Sequence, residues 1–287
     1  MVISEAFDTF CLQEIHLKGG APKTIRNYRS VLSTFLRICG DMPVSLITHD
    51  HVTRWRLCME AEGIQASTVS NYLSRLRQVL KFLTKRGLNV LDYRVVELPK
   101  VVIAERDFVA PQEAKQMIEY AERPRDKALI ATLWSSGSRI SEVLSLNRGS
   151  IQNGRAFVVG KNSKQVTVRI DQMAQKYIDD YLATRSDRLP AMFISAQMRR
   201  LTVQRAEQIV NQIAGELGFT RPDGTDKNIT PHTFRHGYAT DLLTNGADLA
   251  TTQQLLGHAS INTTRIYAHI TQPREDESYA RFHSSGF

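Results

Sequence analysis

The sequence contains little cysteine, and its cysteines form no recognisable framework. There are three in 287 residues, Cys11, Cys39 and Cys58, and no pair has the CxxC spacing. An odd number, confined to the first fifth of the chain, argues against disulfides and against a zinc site. We interpret all three as small buried side chains of a protein in a reducing compartment.

Long apolar runs are also absent. No stretch approaches the roughly 18 apolar residues that a membrane-spanning helix requires. The first ten residues contain Glu5 and Asp8 and no basic side chain, which argues against a secretory signal peptide. The sequence therefore predicts a cytoplasmic protein with no membrane partner.

The usual cofactor and metal motifs are incomplete. The Gly160-Lys161 pair lacks the Ser or Thr that follows it in the GxxxxGK[ST] loop that binds nucleotide phosphates. His232 and His236 stand four residues apart, as in zinc-binding helices, but Thr233 replaces the usual glutamate and no third ligand is evident. No GxSxG nucleophile motif occurs. The sequence predicts neither a cofactor nor a metal.

Positive charge is spread over the whole chain. The formal net charge is +8, and the sequence pI is about 9.5. Residues 1–97 contain 13 Lys and Arg against 9 Asp and Glu, and residues 98–287 contain 24 against 20. Such a protein binds nucleic acid or an anionic membrane, or is merely soluble and basic. Charge alone leaves these alternatives open.

The first hundred residues have the periodicity of helices. Apolar side chains recur at intervals of three and four in residues 24–38 and 67–86, and residues 48–62 are a third candidate. Ser67 and Thr68 are candidate N-caps of the helix over 67–86. Several basic residues lie off the apolar faces, where they are either solvated or bind phosphates: Arg26, Arg29, Arg75, Arg77 and Lys81.

The pattern changes after Pro99, and Pro111 fits the first turn of a new helix. We predict two domains, 1–98 and 111–287, joined by a linker over 99–110. Residues 156–160 and 165–170 alternate as the strands of a hairpin. Helices are predicted over 111–122, 125–135, 139–147, 171–184, 201–217, 231–245, 248–257 and about 260–269. The predicted fold is mainly α: an N-terminal helical domain, then a mixed α/β domain with helices and a small antiparallel sheet.

What remains is a scattered set of reactive side chains in the second domain: Arg139, Lys161, His232, Arg235, His258 and Tyr267. Taken singly, each has an ordinary explanation, such as a surface arginine or a core tyrosine. The residues around each of them in the sequence, however, form distinctive motifs. Arg139 lies in Gly-Ser-Arg-Ile-Ser-Glu, and Arg235 in His-Thr-Phe-Arg-His. His258 ends Leu-Gly-His, and Tyr267 follows it by nine residues.

With these motifs in this order, the sequence resembles the tyrosine recombinases, the family of phage integrases and Xer-type recombinases. Their pattern is Gly-x-Arg-x-Ser-Glu, a lysine in a β-turn, His-x-x-Arg-His, Leu-Gly-His, and a tyrosine nine residues later. The resemblance covers residues 111–270. It is weaker in the first domain, where Thr24, Tyr28 and Phe35 are similar to the first helix of the core-binding domain. It implies a core DNA-binding domain over 1–98 and a catalytic domain over 111–287.

The resemblance implies a metal-independent attack on a DNA phosphate. Tyr267 would be the nucleophile and would hold the cut end as a 3′-phosphotyrosine. Arg139 and Arg235 would hold the phosphate, because a planar guanidinium makes paired hydrogen bonds to it and remains charged at any working pH.

The remaining residues would move protons or support the phosphate. By resemblance, His232 accepts the tyrosine proton and Lys161 protonates the leaving 5′ oxygen. His258 would donate a hydrogen bond to a non-bridging oxygen. Glu142 either orients this cluster or forms a plain salt bridge.

The resemblance also implies a partner and an assembly. The partner would be double-stranded DNA with paired recombination half-sites, bound by a homotetramer that passes through a Holliday junction, with accessory proteins. The helix over 67–86 would read the major groove, and residues 271–287 would be passed to a neighbouring subunit. Such a protein would be cytoplasmic and nucleoid-associated.

Two other interpretations remain, a catalytically silent DNA-binding relative and a type IB topoisomerase. The complete six-residue set argues against the first. The motif spacing and the two-domain layout argue against the second.

Overall fold

The computed structural model describes residues 1–100, 106–160 and 165–257. The chain divides into two compact units, Met1–Ala104 and Glu105–Phe287, and each has its own hydrophobic core. The described residues are mostly helical, with a two-stranded antiparallel sheet in the second unit. This confirms the predicted fold class, while the predicted domain limits stay a prediction. Within the described ranges, no helix combines the length and the apolar character that a bilayer crossing needs.

Four α-helices form most of the first unit: α1 (Ile3–Phe10), α2 (Pro22–Cys39), α3 (His49–Ala61) and α4 (Ala66–Lys85). A π-helical stretch, Cys11–His16, follows α1, and 3₁₀ turns cover Val44–Leu46 and Tyr93–Val95. The three predicted helices agree with α2, α3 and α4 to within two residues at each end. Helix α1 has no counterpart among them.

The core of the first unit is built from the apolar stripes of these helices. The Trp55 side chain of α3 is fully buried, with its ring 5.3 Å from Phe35 of α2 and 6.3 Å from Tyr72 of α4. Helix α4 buries a stripe at helical spacing: Val69, Leu73, Leu76, Val79, Leu80 and Leu83. The periodicity of the sequence therefore gives the correct inward face.

Two local predictions in this unit are wrong. Ser67 and Thr68 are not N-caps, because α4 begins at Ala66 with Gln65 as its N-cap residue and no side-chain capping bond. Of the cysteines, Cys11 is buried as predicted, but Cys39 and Cys58 are only partly buried. All three are free thiols.

The second unit is assembled around one central helix. Its helices are α5 (Pro111–Tyr120), α6 (Pro124–Ser136), α7 (Ile140–Ser145), α8 (Gln172–Ala183), α9 (Val203–Leu217), α10 (Pro231–Thr244) and α11 (Leu249–Leu256). Helix α6 packs against α5, α8 and α10, and its residues 128–133 are completely buried. The predicted helices agree with α5–α11 to within two residues. The helix predicted over about 260–269 lies outside the described residues.

The sheet is a hairpin of β1 (Arg155–Val159) and β2 (Gln165–Arg169), with Phe157 opposite Thr167. Ala156 and Val158 face the core, whereas Phe157 is 64% exposed. Burial therefore alternates along β1, as the alternating sequence predicts. Residues 161–164, which separate the strands in sequence, lie outside the described residues.

Candidate active site

The Arg235 guanidinium joins three segments of the second unit that are far apart in sequence. Arg235 lies in α10 and is only 4% exposed. Its Nη1 donates a hydrogen bond to the Gly137 carbonyl at 2.9 Å, and its Nη2 donates one to the Leu256 carbonyl at 2.5 Å. Gly137 caps the C-terminus of α6, and Leu256 is the last residue of α11. A buried cation requires such acceptors, so these bonds fix where the three segments meet.

The end of α6, just before Arg139, requires a glycine at position 137. Its φ of +56° is in the left-handed region, which glycine adopts without steric cost. A Cβ at this position would lie 2.4 Å from a ring carbon of Tyr238, which belongs to α10. The close approach of α10 to the end of α6 therefore depends on the missing side chain.

Arg139 is the N-cap residue of α7, and Glu142 holds it at two points. The Arg139 amide donates to Glu142 Oε2 at 2.9 Å, and Arg139 Nη1 donates to Oε1 at 2.8 Å. The Glu142 side chain is 2% exposed and that of Arg139 38%. The salt bridge considered for Glu142 is therefore present, and it orients the arginine while leaving part of the guanidinium accessible.

The C-terminal end of the short helix α7 is held by Arg200. Its Nη1 donates to the carbonyls of Leu144 and Leu146 at 2.6 and 2.9 Å, and its Nη2 donates to the Asn147 side chain. A cation is favourable there because the last carbonyls of a helix carry partial negative charge. Side chains thus fix both ends of α7, the helix that has Arg139 as its N-cap residue.

His232 lies in the first turn of α10, on the exposed side of the cluster. Its ring meets that of His236 edge to face, with centroids 4.7 Å apart. Partial desolvation lowers the pKa of His232 below its ordinary value, and the positive charges of Arg235, Arg106 and Arg139 lower it further. A histidine with a lowered pKa is neutral near pH 7, the form that can accept a proton.

The segment 106–110 packs against the start of α10. The Val109 amide donates to the Thr233 carbonyl at 3.2 Å. A Cβ on Gly237 would lie 2.0 Å from the Val109 carbonyl oxygen, so only glycine allows this approach. Residues 106–110 are part of the second compact unit, and the linker predicted over 99–110 stays a prediction.

An ion pair also holds the same segment. Both carboxylate oxygens of Asp107 accept hydrogen bonds from Arg221 at 2.7 Å, and the Asn228 amide donates to it at 2.9 Å. Burial opposes ionisation of Asp107, but these bonds outweigh it and lower its pKa. Asp107 is therefore a charged anchor, and Arg106 is held directly beside it.

The structure brings four of the predicted site residues together: Arg139, Glu142, His232 and Arg235. The other three, Lys161, His258 and Tyr267, lie outside the described residues, and their place in the site stays a prediction. In the sequence, His258 follows Leu256 by two positions, and the Leu256 carbonyl is bound by Arg235.

The predicted DNA-binding residues of the first unit differ in exposure. Arg26, Arg29 and Lys81 are exposed, whereas Arg75 and Arg77 are partly buried. The Arg75 guanidinium lies over the Tyr28 ring, 5.7 Å from its centroid, so this cation joins α4 to α2.

No metal site is evident in the part of the chain that the structure describes. There, no group of three or more His, Cys, Asp or Glu residues is placed to hold an ion. His232 and His236 instead pack ring against ring.

Sequence reasoning missed Arg106, Arg200 and Gly237. Arg106 lies in the segment that the sequence predicts to be a linker, so the sequence does not point to it as a site residue. Arg200 and Gly237 act on backbone carbonyls of distant residues, for which the sequence carries no direct signal. The glycine directly after His-x-x-Arg-His was the one available hint of a close helix contact.

Comparison with known families matches both units. The family described as "Phage integrase family" matches residues 107–274, and "Phage integrase, N-terminal SAM-like domain" matches residues 12–87. The chain is similar to the tyrosine recombinase XerD of Oceanobacillus iheyensis, with 31% identity over 93% of this chain and 94% of the relative. It is also similar to the tyrosine recombinase XerC of Thermodesulfovibrio yellowstonii, with 30% identity over 99% of this chain and 98% of the relative.

Solved structures share the fold at lower identity. The Tn1549 transposon integrase in complex with transposon right end DNA has a TM-score of 0.80 and 14% identity, covering 99% of this chain and all of that one. A lambda integrase tetramer bound to a Holliday junction has a TM-score of 0.75 and 17% identity, covering 91% and 78%. At these identities the likeness establishes the fold.

Proposed function

The chain belongs to the phage integrase family of tyrosine recombinases, and we propose that it is a site-specific recombinase that cuts and rejoins double-stranded DNA. The observation that carries the proposal is the arrangement of Arg235. Its buried guanidinium draws the segment before Arg139, its own helix and the segment before His258 to one point. Three separate motifs of the family pattern thus meet where a phosphate would be held.

Arg139 and Arg235 bind the non-bridging oxygens of the DNA phosphate. In-line attack on a phosphodiester gathers charge on these oxygens, and positioned positive donors stabilise it. Arg139 is oriented by Glu142 and partly exposed.

Tyr267 attacks the phosphorus, and the bond to the 5′ oxygen breaks. The tyrosine proton passes to His232, because partial burial and the surrounding arginines lower the pKa of this histidine and favour its neutral form. Lys161 protonates the leaving 5′ oxygen, and His258 donates a hydrogen bond to a non-bridging oxygen. The energy of the broken bond is kept in the 3′-phosphotyrosine, so rejoining reverses these steps without a nucleotide or a metal.

Recombination requires an assembly, for which we propose four copies of the chain on two DNA sites, with a Holliday junction as intermediate. The arginines and lysine of the first unit contact the duplex, α4 enters the major groove, and residues 271–287 pass to a neighbouring copy. The tetrameric lambda integrase on a Holliday junction supports this part by its shared fold. Accessory proteins and a nucleoid-associated, cytoplasmic location complete the proposal.

A nicked suicide substrate tests the chemistry. Its sequence would come from duplexes that the wild-type protein selects from a random pool. We expect a covalent protein–DNA adduct with the wild type and none with Tyr267→Phe, which should still bind the duplex. Tyr120→Phe, at an exposed tyrosine of the same unit, is the matched control and should retain the adduct.

Other outcomes separate the alternatives. An adduct formed by Tyr267→Phe would show that another residue is the nucleophile. Binding without an adduct in the wild type would indicate a silent DNA-binding protein. Relaxation of supercoiled DNA without exchange between paired sites would indicate a topoisomerase.

A further inference from the structure

Arg106 is a cation beside the candidate site that the proposed chemistry leaves without a role. We propose that Arg106 is a third phosphate-binding arginine, which contacts the DNA backbone at the cleavage point alongside Arg139 and Arg235. The proposal rests on the proposed function and adds a residue from a segment that the sequence assigns to a linker.

The backbone directly after Arg106 is held by two sets of contacts. Val109, three residues on, is hydrogen-bonded to Thr233 in the first turn of α10. Asp107 is held by the paired hydrogen bonds of Arg221 and by the Asn228 amide. These contacts therefore place residue 106 near the N-terminal end of α10, where His232 lies.

The absence of a side chain on Gly237 makes this approach possible. The Val109 carbonyl occupies the space that a Cβ would need, at 2.0 Å. Trp134 of α6 closes the same space, 3.1 Å from that Cβ position. The segment thus lies against the helix that carries the site, and a small shift would move Arg106 away from it.

The three arginines differ in how their charge is balanced. Arg139 is paired with the buried Glu142, and Arg235 donates to two backbone carbonyls. Arg106 is exposed, and among the described residues no carboxylate lies within salt-bridge distance of it. A cation without a carboxylate partner at the edge of a phosphate site is suited to bind the substrate's own charge.

Arg106 is close enough to act electrostatically on His232. The charged and titratable groups facing that imidazole are Arg235 and His236 on its own helix, Arg139 before α7, and Arg106 on the packed segment. All three arginines disfavour the imidazolium. A third guanidinium would therefore stabilise the transition-state charge and help to keep the base neutral.

Single-turnover cleavage of the nicked suicide substrate tests the proposal. Removing one positioned donor at such a site slows chemistry by about 100-fold or more in other enzymes. For the more exposed Arg106 we expect at least about a tenfold loss in Arg106→Gln. Arg106→Lys, which keeps the charge and loses the paired hydrogen bonds, should recover part of the rate.

Arg123→Gln is the matched control. Arg123 is an exposed arginine of the same unit, at the N-cap of α6. The 13 residues of that helix separate it from Gly137 by about 20 Å. Arg123→Gln should therefore cleave at the wild-type rate.

A second measurement, made without DNA, tests whether Arg106 lies close to His232. Imidazole C–H resonances are titrated by NMR in the wild type and Arg106→Gln, with His232 identified by its loss in His232→Gln. Because Arg106 disfavours the imidazolium, its removal should raise the pH at which His232 titrates. A merely structural effect would lower the melting temperature and leave that titration in place.

The outcomes are separable. An Arg106→Gln protein that cleaves as fast as wild type overturns this proposal alone, whether or not His232 titrates differently. A slower Arg106→Gln protein with an unmoved His232 titration overturns it as well, since Arg106 would then act from elsewhere. A wild-type protein that forms no adduct overturns the proposed function, and this inference with it.

Discussion

Arg235 and Glu142 show how single buried charges fix the geometry of this site. Arg235 donates hydrogen bonds to backbone carbonyls of two other segments, so it holds these segments in place. Glu142 is a buried carboxylate whose partner is the Arg139 side chain and amide. The first residue determines where the segments meet, and the second determines how Arg139 is presented.

Replacing Glu142 by Gln should weaken both folding and cleavage. The amide can still accept one hydrogen bond from Arg139 but no longer pairs with its charge. We expect a loss of about 1–2 kcal/mol in the free energy of unfolding, moderated by the partial exposure of Arg139. Urea denaturation measures this, and the suicide substrate should show slower cleavage by a correctly folded protein.

Glu60→Gln is the control for the loss of a carboxylate. Glu60 pairs with Arg56 one turn away on α3, and both side chains are more than a third exposed. Such surface pairs contribute less than about 1 kcal/mol. Equal losses from Glu60→Gln and Glu142→Gln would contradict a special role for the buried pair.

His232 should make stability depend on pH. Its pKa in the folded protein lies below the ordinary value of 6.5, so the unfolded chain binds this proton more readily. Stability from this residue is complete above about pH 6.5 and falls as the pH drops towards the folded-state value. Melting temperatures between about pH 7.5 and 5 should therefore fall less in His232→Gln than in the wild type. Identical slopes would contradict the shift.

The sequence predicts much of the residue chemistry, but not its connections. The motifs point to Arg139, Glu142, His232 and Arg235, and the structure places these four residues together. The acceptors of Arg235 are carbonyls of Gly137 and Leu256, and any residue type can supply a carbonyl. For this reason the role of Arg235 in joining segments could not be predicted.

Among the structural elements, α10 depends on two glycine contacts. Because Gly137 has no side chain, the Tyr238 ring can pack against the end of α6. Because Gly237 has none, the Val109 carbonyl can pack against α10. The helix is therefore approached on two sides by groups that a methyl would displace.

Gly237→Ala should be costly in spite of the better helix propensity of alanine. The added methyl would meet a backbone oxygen that cannot rotate away, so the segment 106–110 must shift. We expect a loss of about 1–3 kcal/mol in the free energy of unfolding, together with slower cleavage. Thermal denaturation and the suicide substrate measure the two effects.

Gly215→Ala is the matched control for that substitution. Gly215 lies within α9, with no atom within 4 Å of its Cβ position. Alanine should therefore stabilise the protein by about 0.5–1 kcal/mol. If both substitutions stabilised the protein, the close contact at Gly237 would not exist in solution.

Periodicity predicts elements well where one face is buried and poorly at their ends. Helices α2–α11 were predicted to within two residues, because their apolar stripes repeat over several turns. Helix α1 is short, yet Ile3, Ala6, Phe7 and Phe10 are its buried residues at the spacing of a helix. The π-helical turn after it has no sequence signal. The start of α4 was misplaced because its N-cap, Gln65, is not a usual capping residue.

At the scale of the whole molecule, basic charge occurs in both units. In the first unit, Arg26 and Arg29 lie on the exposed surface of α2, with Tyr28 between them in sequence. Arg75 of α4 stacks on that tyrosine. The two helices therefore present their cations on neighbouring surfaces.

This arrangement predicts how binding responds to salt. The logarithm of the association constant for a duplex falls with that of salt concentration by about 0.9 for each phosphate neutralised. The double variant Arg26→Gln/Arg29→Gln should reduce this slope by about 1.8. Fluorescence anisotropy over a range of NaCl concentrations measures it.

Arg37→Gln is the control on the same helix. Arg37 forms a two-bond ion pair with Glu62, so its charge is already balanced. Its loss should leave the salt slope nearly unchanged. An equal change per charge in both variants would indicate a general effect of net charge and contradict specific contacts by Arg26 and Arg29.

The bonds of Arg235 have a consequence for how the protein is made. Its acceptors lie 98 residues before it and 21 residues after it. During synthesis, α10 emerges before Leu256 exists, so Arg235 lacks one of these two acceptors until α11 has been made. Such long separations also slow the search for the native arrangement. A polypeptide that stops short of the end of α11 would thus lack the Leu256 carbonyl and could not hold the three segments together through Arg235.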